Sequence, residues 1–155
     1  MSAILETYLI DGTDLSTLAT GITDFDAAFN TAPRRGQNYV LPGADGETYV
    51  AKPLAALPIS IGCIVSAADP TTGAFAATAQ LRTAQMIANW RSIVALTKAE
   101  TGGTVTLTRK LSTTAGSSTS ETCTAECSGG IQVHTEWSEV MRIVIPFVNL
   151  SGKWA

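Results

Sequence analysis

Residues 78–108, TAQLRTAQMIANWRSIVALTKAETGGTVTLT, change their hydrophobic period midway, and that change decides the fold. In the first part Thr83, Met86, Ile87, Trp90, Ile93, Val94 and Thr97 recur at spacings of three and four, which aligns side chains along one stripe of an α-helix. The spacing predicts one helix over roughly residues 78–99. Gly102-Gly103 is placed to stop it, and Lys98 falls near the negative end of the helix dipole. From Thr104 to Thr108 the period drops to two. Val105 and Leu107 alternate with β-branched threonines, the pattern of a half-buried strand.

On the N-terminal side of this stretch, Ala55 to Ser66 alternates around Leu57, Ile59 and Ile61 and reads as a largely buried strand, with Pro58 pointing to an edge or a bulge. Leu5 to Ile10 favours a strand, and Asp11-Gly12 supplies the turn of a first hairpin. Spaced apolar residues (Ile22, Phe25, Phe29) follow up to a loop at Pro33-Arg34-Arg35-Gly36. Gln37 to Leu41 and Glu47 to Lys52 then form a second hairpin around Pro42-Gly43 and Asp45-Gly46. On the C-terminal side, Ala115 to Ser120 is small and polar, so an exposed hairpin tip or mobile loop is expected. Thr122 to Glu126 and Ile131 to Thr135 flank Ser128-Gly129-Gly130, and Val140 to Val148 is the strongest late strand, with Pro146 near its end. The sum is a mainly β chain: a single domain over residues 1–155, a β-sandwich of about eight short strands with one attached helix.

Composition narrows the function. Charged residues make up 15%, against roughly 25% in ordinary soluble domains, which fits a subunit partly covered by neighbours. The apolar run Ala55 to Ala68 is cut by Pro58, Ser60 and Gly62, so no membrane span is expected. The N-terminus lacks a basic region followed by an apolar one, and synthesis in a reducing cytoplasm is expected. A net charge of −3 gives no general attraction for nucleic acid. Three cysteines do not make a disulfide framework.

No catalytic, metal or cofactor site is predicted, and the chain is expected not to be an enzyme. The one histidine, His134, lies in a strand and reads as a surface residue. Cys123, Cys127 and His134 supply at most three ligands of a zinc site, and Cys63, isolated in an apolar strand, offers no second cluster for the fourth. On one extended strand the two cysteines share a face about 13 Å apart, too far for a disulfide. The carboxylates are scattered, and neither a G-x-S-x-G element nor a glycine-rich phosphate loop occurs. Arg34 and Arg35 suit either a phosphate backbone or a carboxylate on a neighbouring subunit, and the acidic balance of the chain favours the second.

Two stretches carry a resemblance: Ile10-Asp11-Gly12-Thr13-Asp14-Leu15, and Pro33-Arg34-Arg35-Gly36-Gln37-Asn38-Tyr39-Val40-Leu41-Pro42-Gly43 followed by Gly46-Glu47-Thr48-Tyr49. They are similar to the first hairpin and to the R-x-G-x-N, P-G, G-x-x-Y stretch of the distal tail proteins of siphophages, the siphovirus-type tail component family. The strand before the helix, the glycine turn after it and a last strand from Met141 to Phe147 closing on Trp154 suit the same family. The resemblance implies a hexameric ring that joins the tail tube to the baseplate hub. Such a ring leaves a lumen for DNA, has the tail tube, tape measure and hub proteins as partners, and resides in the virion tail. Larger members carry a carbohydrate-binding domain, for which 155 residues leave no room. The subunit-interface candidates are Arg34, Arg35, Tyr39, Tyr49, Ser117 and Trp154, with Ser112 to Ser120 as an arm that orders on assembly. Tail tube subunits share a related fold and remain an alternative. So does a carbohydrate-binding β-sandwich, although such a module usually presents more exposed aromatics than this chain offers.

Overall fold

The computed structural model describes residues 4–23, 54–113, 116, 118–137 and 140–155. The expected second hairpin, Phe25, Phe29 and the loop at Pro33 lie outside them. The described strands are β1 (Ile4–Ile10), β2 (Thr13–Asp14), β3 (Ala19–Thr23), β4 (Leu57–Val65), β5 (Thr104–Thr113), β6 (Ser118–Cys127), β7 (Gln132–Trp137) and β8 (Val140–Asn149). One helix, α1 (Ala79–Thr97), separates β4 from β5. The first hairpin forms as expected: Asp11 and Gly12 both take positive φ, 47° and 84°, the requirement of the tight turn that matches strand twist. Ile10 therefore pairs with Thr13.

The eight strands form one antiparallel sheet in the order β2-β1-β5-β6-β8-β4-β3, with β7 also on β8. β8 joins the two halves of the sandwich. One of its edges pairs with β4 from Met141 to Asn149, and the other is divided between β7 (Val140 to Val144) and β6 (Phe147 to Asn149). The division falls at Pro146. In the β6–β8 register the next pair would be Ser128 with Pro146, and the Ser128 N–H does donate to the Pro146 carbonyl at 2.9 Å. Proline has no N–H to return the second bond, so the ladder stops on half a pair and the chain leaves for β7. Pro146 is thus a junction rather than a strand end. Pro58 lies in β4 beyond Gly62, the last described partner of β3, and is paired with Val148 of β8.

Inward-facing residues of every long strand meet in one core: Tyr8 and Ile10, Ile59, Ile61 and Cys63, Val105 and Leu107, Cys123 and Ala125, Ile143, Ile145 and Phe147. One core lined by one face of a continuous sheet means that the sheet curls upon itself. β4 and β8 show the period-two burial that the sequence predicts.

The helix begins where expected, with Thr78 Oγ1 accepting the Leu81 N–H at 3.3 Å. Its buried side is shifted from the apolar stripe. Met86, Ile93 and Thr97 are buried, but Ile87 is 39% exposed and Asn89, at 1%, faces inward. The chain leaving β4 explains this: the Asn89 amide donates to the Ser66 and Ala68 carbonyls at 2.7 and 2.9 Å while its Oδ1 accepts from Gln85 Nε2 at 3.0 Å. Buried carbonyls need donors, and an asparagine supplies two. The helix stop differs as well. Lys98, with φ 55°, takes the left-handed position, its own N–H bonds Ala95 O, and Gly102 N–H bonds back to Lys98 O at 2.8 Å. The β5–β6 hairpin also runs further than expected. Leu111 pairs with Thr119 and Ser112 with Ser118, so Ser118 to Ser120 of the anticipated loop are strand.

Candidate assembly surface

The outward face of β5 and β6 is a regular surface on a hairpin whose strands have ten residues each. Register places Thr104, Thr106 and Thr108 opposite Glu126, Thr124 and Thr122, then Lys110 opposite Ser120 and Ser112 opposite Ser118. Alternation sends Val105, Leu107, Cys123 and Ala125 inward, which leaves hydroxyls outward with one charge of each sign. This face is polar and close to neutral. A strand of alternating threonines could be read from the sequence; its match to a second such strand is set by the hairpin.

Of the interface candidates, Arg34, Arg35, Tyr39, Tyr49 and Ser117 lie outside the described residues. Trp154 is half-buried and folds onto its own chain. Its ring lies 6.5 Å from that of Tyr8 at 48°, and the Arg109 guanidinium carbon stands 4.6 Å above its centroid. Arg109, itself buried, pairs with Glu121 across the hairpin. Sequence reasoning missed this cation inside the core, since it occupies an inward position of an otherwise apolar alternation. The segment after β8 is held in place by Asn149, whose amide donates to Lys153 O at 2.9 Å and whose Oδ1 accepts the Ser151 and Gly152 N–H groups. Ala155 and Thr122 exchange two backbone bonds of 2.9 and 2.7 Å, continuing the side of β6 that pairs with β8.

A second polar cluster ties three elements together. Asp11 Oδ1 accepts the Thr106 N–H at 2.7 Å, its N–H donates to Thr106 O at 2.9 Å, and Oδ2 lies 3.3 Å from Lys98 Nζ, which also donates to Thr104 O at 2.6 Å. The Thr106 N–H, and then Lys98, hold the Asp11 carboxyl below the usual carboxylate range. This explains the left-handed Lys98: leaving the helix there aims its ammonium at the first turn.

Cys123 and Cys127 sit on one face of β6, the first buried and the second half-buried with its thiol donating to Gly129 O, while His134 is exposed on β7. Burial pushes the Cys63 thiol up to about 12 and the Cys123 thiol up to about 11. Among the described residues no group of three or more His, Cys, Asp or Glu is placed to hold a metal ion. No described helix is long and apolar enough to cross a membrane.

No protein-family model matches the sequence, and no curated protein matches it. Among solved structures the chain is similar to the Dit protein of phage SPP1, described as a paradigm of the hub adsorption apparatus in phages that infect Gram-positive bacteria. The similarity has a TM-score of 0.51 at 13% identity and covers 96% of this chain. The chain spans about half (51%) of the length of that protein. At this identity the likeness is one of fold: an antiparallel, curled sheet with one helix is an architecture found in a phage tail hub protein.

Proposed function

We propose that this chain is a structural, non-enzymatic protein of a long-tailed bacteriophage tail. In this reading it forms a hexameric ring at the distal end, joins the tail tube to the hub and leaves a channel for DNA. The observation that carries the proposal is the likeness to phage SPP1 Dit, which runs through nearly the whole chain. The surface is in keeping with it. Low overall charge and a broad hydroxyl face suit a subunit that meets neighbours and a conduit to which a polyanion does not adhere.

The test is the solution mass of the purified protein by light scattering after size exclusion, with negative-stain images of any large species. A closed six-membered ring with a central hole is the expected result. Open-ended tubes would transfer the chain to the tail tube. A monomer that binds glycans would replace the assembly reading with a carbohydrate-binding one.

A further inference from the structure

The two ends of α1 carry opposite shapes. Just before the helix, Phe75 is 67% exposed, and the segment around it is held firmly. Ala68 and Phe75 form a β-bridge, Asp69 N–H donates to Ala74 O at 2.9 Å, and Asp69 Oδ1 accepts the Thr71 N–H at 2.7 Å. From the helix, Arg82 donates to the Ala76 and Ala77 carbonyls. A large aromatic displayed on a loop that has already lost its freedom is the form of an interface anchor, because little ordering remains to oppose binding. Leu81, 56% exposed, stands beside it. At the far end of the helix, Trp90, Val94 and Ala95 line a cleft of about 530 Å³ with Arg91, Glu100 and Thr101. From Leu81 to Val94 the helix rises about 20 Å, so the projection and the cleft are separate patches.

Each patch carries one charge of either sign. Asp69 and Arg82 border the clefts on either side of Phe75, and the exposed Arg91 and Glu100 border the receiving cleft. We propose that Phe75 of one copy inserts between Trp90, Val94 and Ala95 of the next copy, with Asp69 facing Arg91 and Arg82 facing Glu100. A contact between two different patches of the same chain is head-to-tail, and it generates a ring when the rotation closes. The occupant of the cleft is thus a second copy of this chain, and the contact gives the ring of the previous subsection a specific seam.

Two variants test it against the wild-type chain. Phe75→Asp, at an exposed position, is expected to keep the fold by circular dichroism while raising the protein concentration needed for assembly about tenfold or more. The double variant Phe75→Cys with Ala95→Cys is expected to give a ladder of disulfide-linked multimers on oxidation, absent from wild-type protein treated alike. Wild-type rings together with an unshifted Phe75→Asp and no ladder would overturn this seam and leave the ring reading standing. A ladder from a chain that otherwise forms only open filaments would keep the seam and remove the ring. A wild-type monomer with no ladder would overturn both.

Discussion

Asn89 shows how one polar side chain can set the seat of a helix. Its amide serves two carbonyls of the chain leaving β4, at 2.7 and 2.9 Å, from a position that is almost completely buried. Replacing it by leucine keeps the branching and heavy-atom count but removes both donors and adds bulk, so the two part-buried carbonyls lose these partners. Asn89→Leu is expected to lower unfolding free energy by on the order of 2–3 kcal/mol, measured by urea titration. Asp11 acts at the same scale through charge. Its folded carboxyl titrates below the ordinary value of 3.8, so its contribution is present in full above that value and fades as pH falls through the folded pKa. Asp11→Asn should therefore lower stability at neutral pH, by less than about 1 kcal/mol for so exposed a group. In thermal unfolding across pH, the gap between variant and wild type should close at the acid end.

At the scale of elements, the junction on β8 follows from a missing N–H. Adjacent positions of a strand point their backbone groups to opposite sides, so Val148, two residues from Pro146, directs its N–H toward β6 as well. Pro146→Ala lets the ladder gain one bond and the unfolded chain gain freedom, two opposed effects of similar size. Its stability should stay within roughly 0.5 kcal/mol of wild type. Val148→Pro breaks the ladder inside the paired region and should cost on the order of 2 kcal/mol or more, both read from denaturant midpoints. The same comparison shows what a sequence can and cannot disclose. The alternation in Leu57 to Val65 and Val140 to Asn149 reports which face of each strand is buried, and the threes and fours of α1 report a helix. Neither reports partners. Asn89 breaks an apolar stripe for the sake of carbonyls 21 and 23 residues away, and Arg109 sits at an inward position because Glu121 and Trp154 meet it there. The hydroxyl face was legible as a strand of threonines, whereas its width depends on the β5–β6 register. Most of the interface candidates drawn from the resemblance lie outside the described residues.

For the whole molecule, the core of the curled sheet must be covered along its strands, and Trp154 covers the part formed by β1 and β5. It covers Tyr8 and Arg109 on the inner side while Ala155 continues the side of β6 that pairs with β8. The Trp154 Nε1 is buried with no acceptor among the described residues, so the ring is held by packing and by the cation above it rather than by a hydrogen bond. An interface role and a core role for this residue predict different outcomes. If Trp154 closes the core, Trp154→Ala loses the burial of a half-covered indole and the stacking partner of Arg109, and the monomer unit should lose about 2 kcal/mol or more. Assembly would then weaken only to the extent that the fold does. If it serves mainly as a subunit contact, urea unfolding of the dilute protein would be unchanged while the solution mass dropped. The geometry favours the first: an aromatic between a buried arginine and a fully buried tyrosine belongs to the chain's own interior before it belongs to a neighbour.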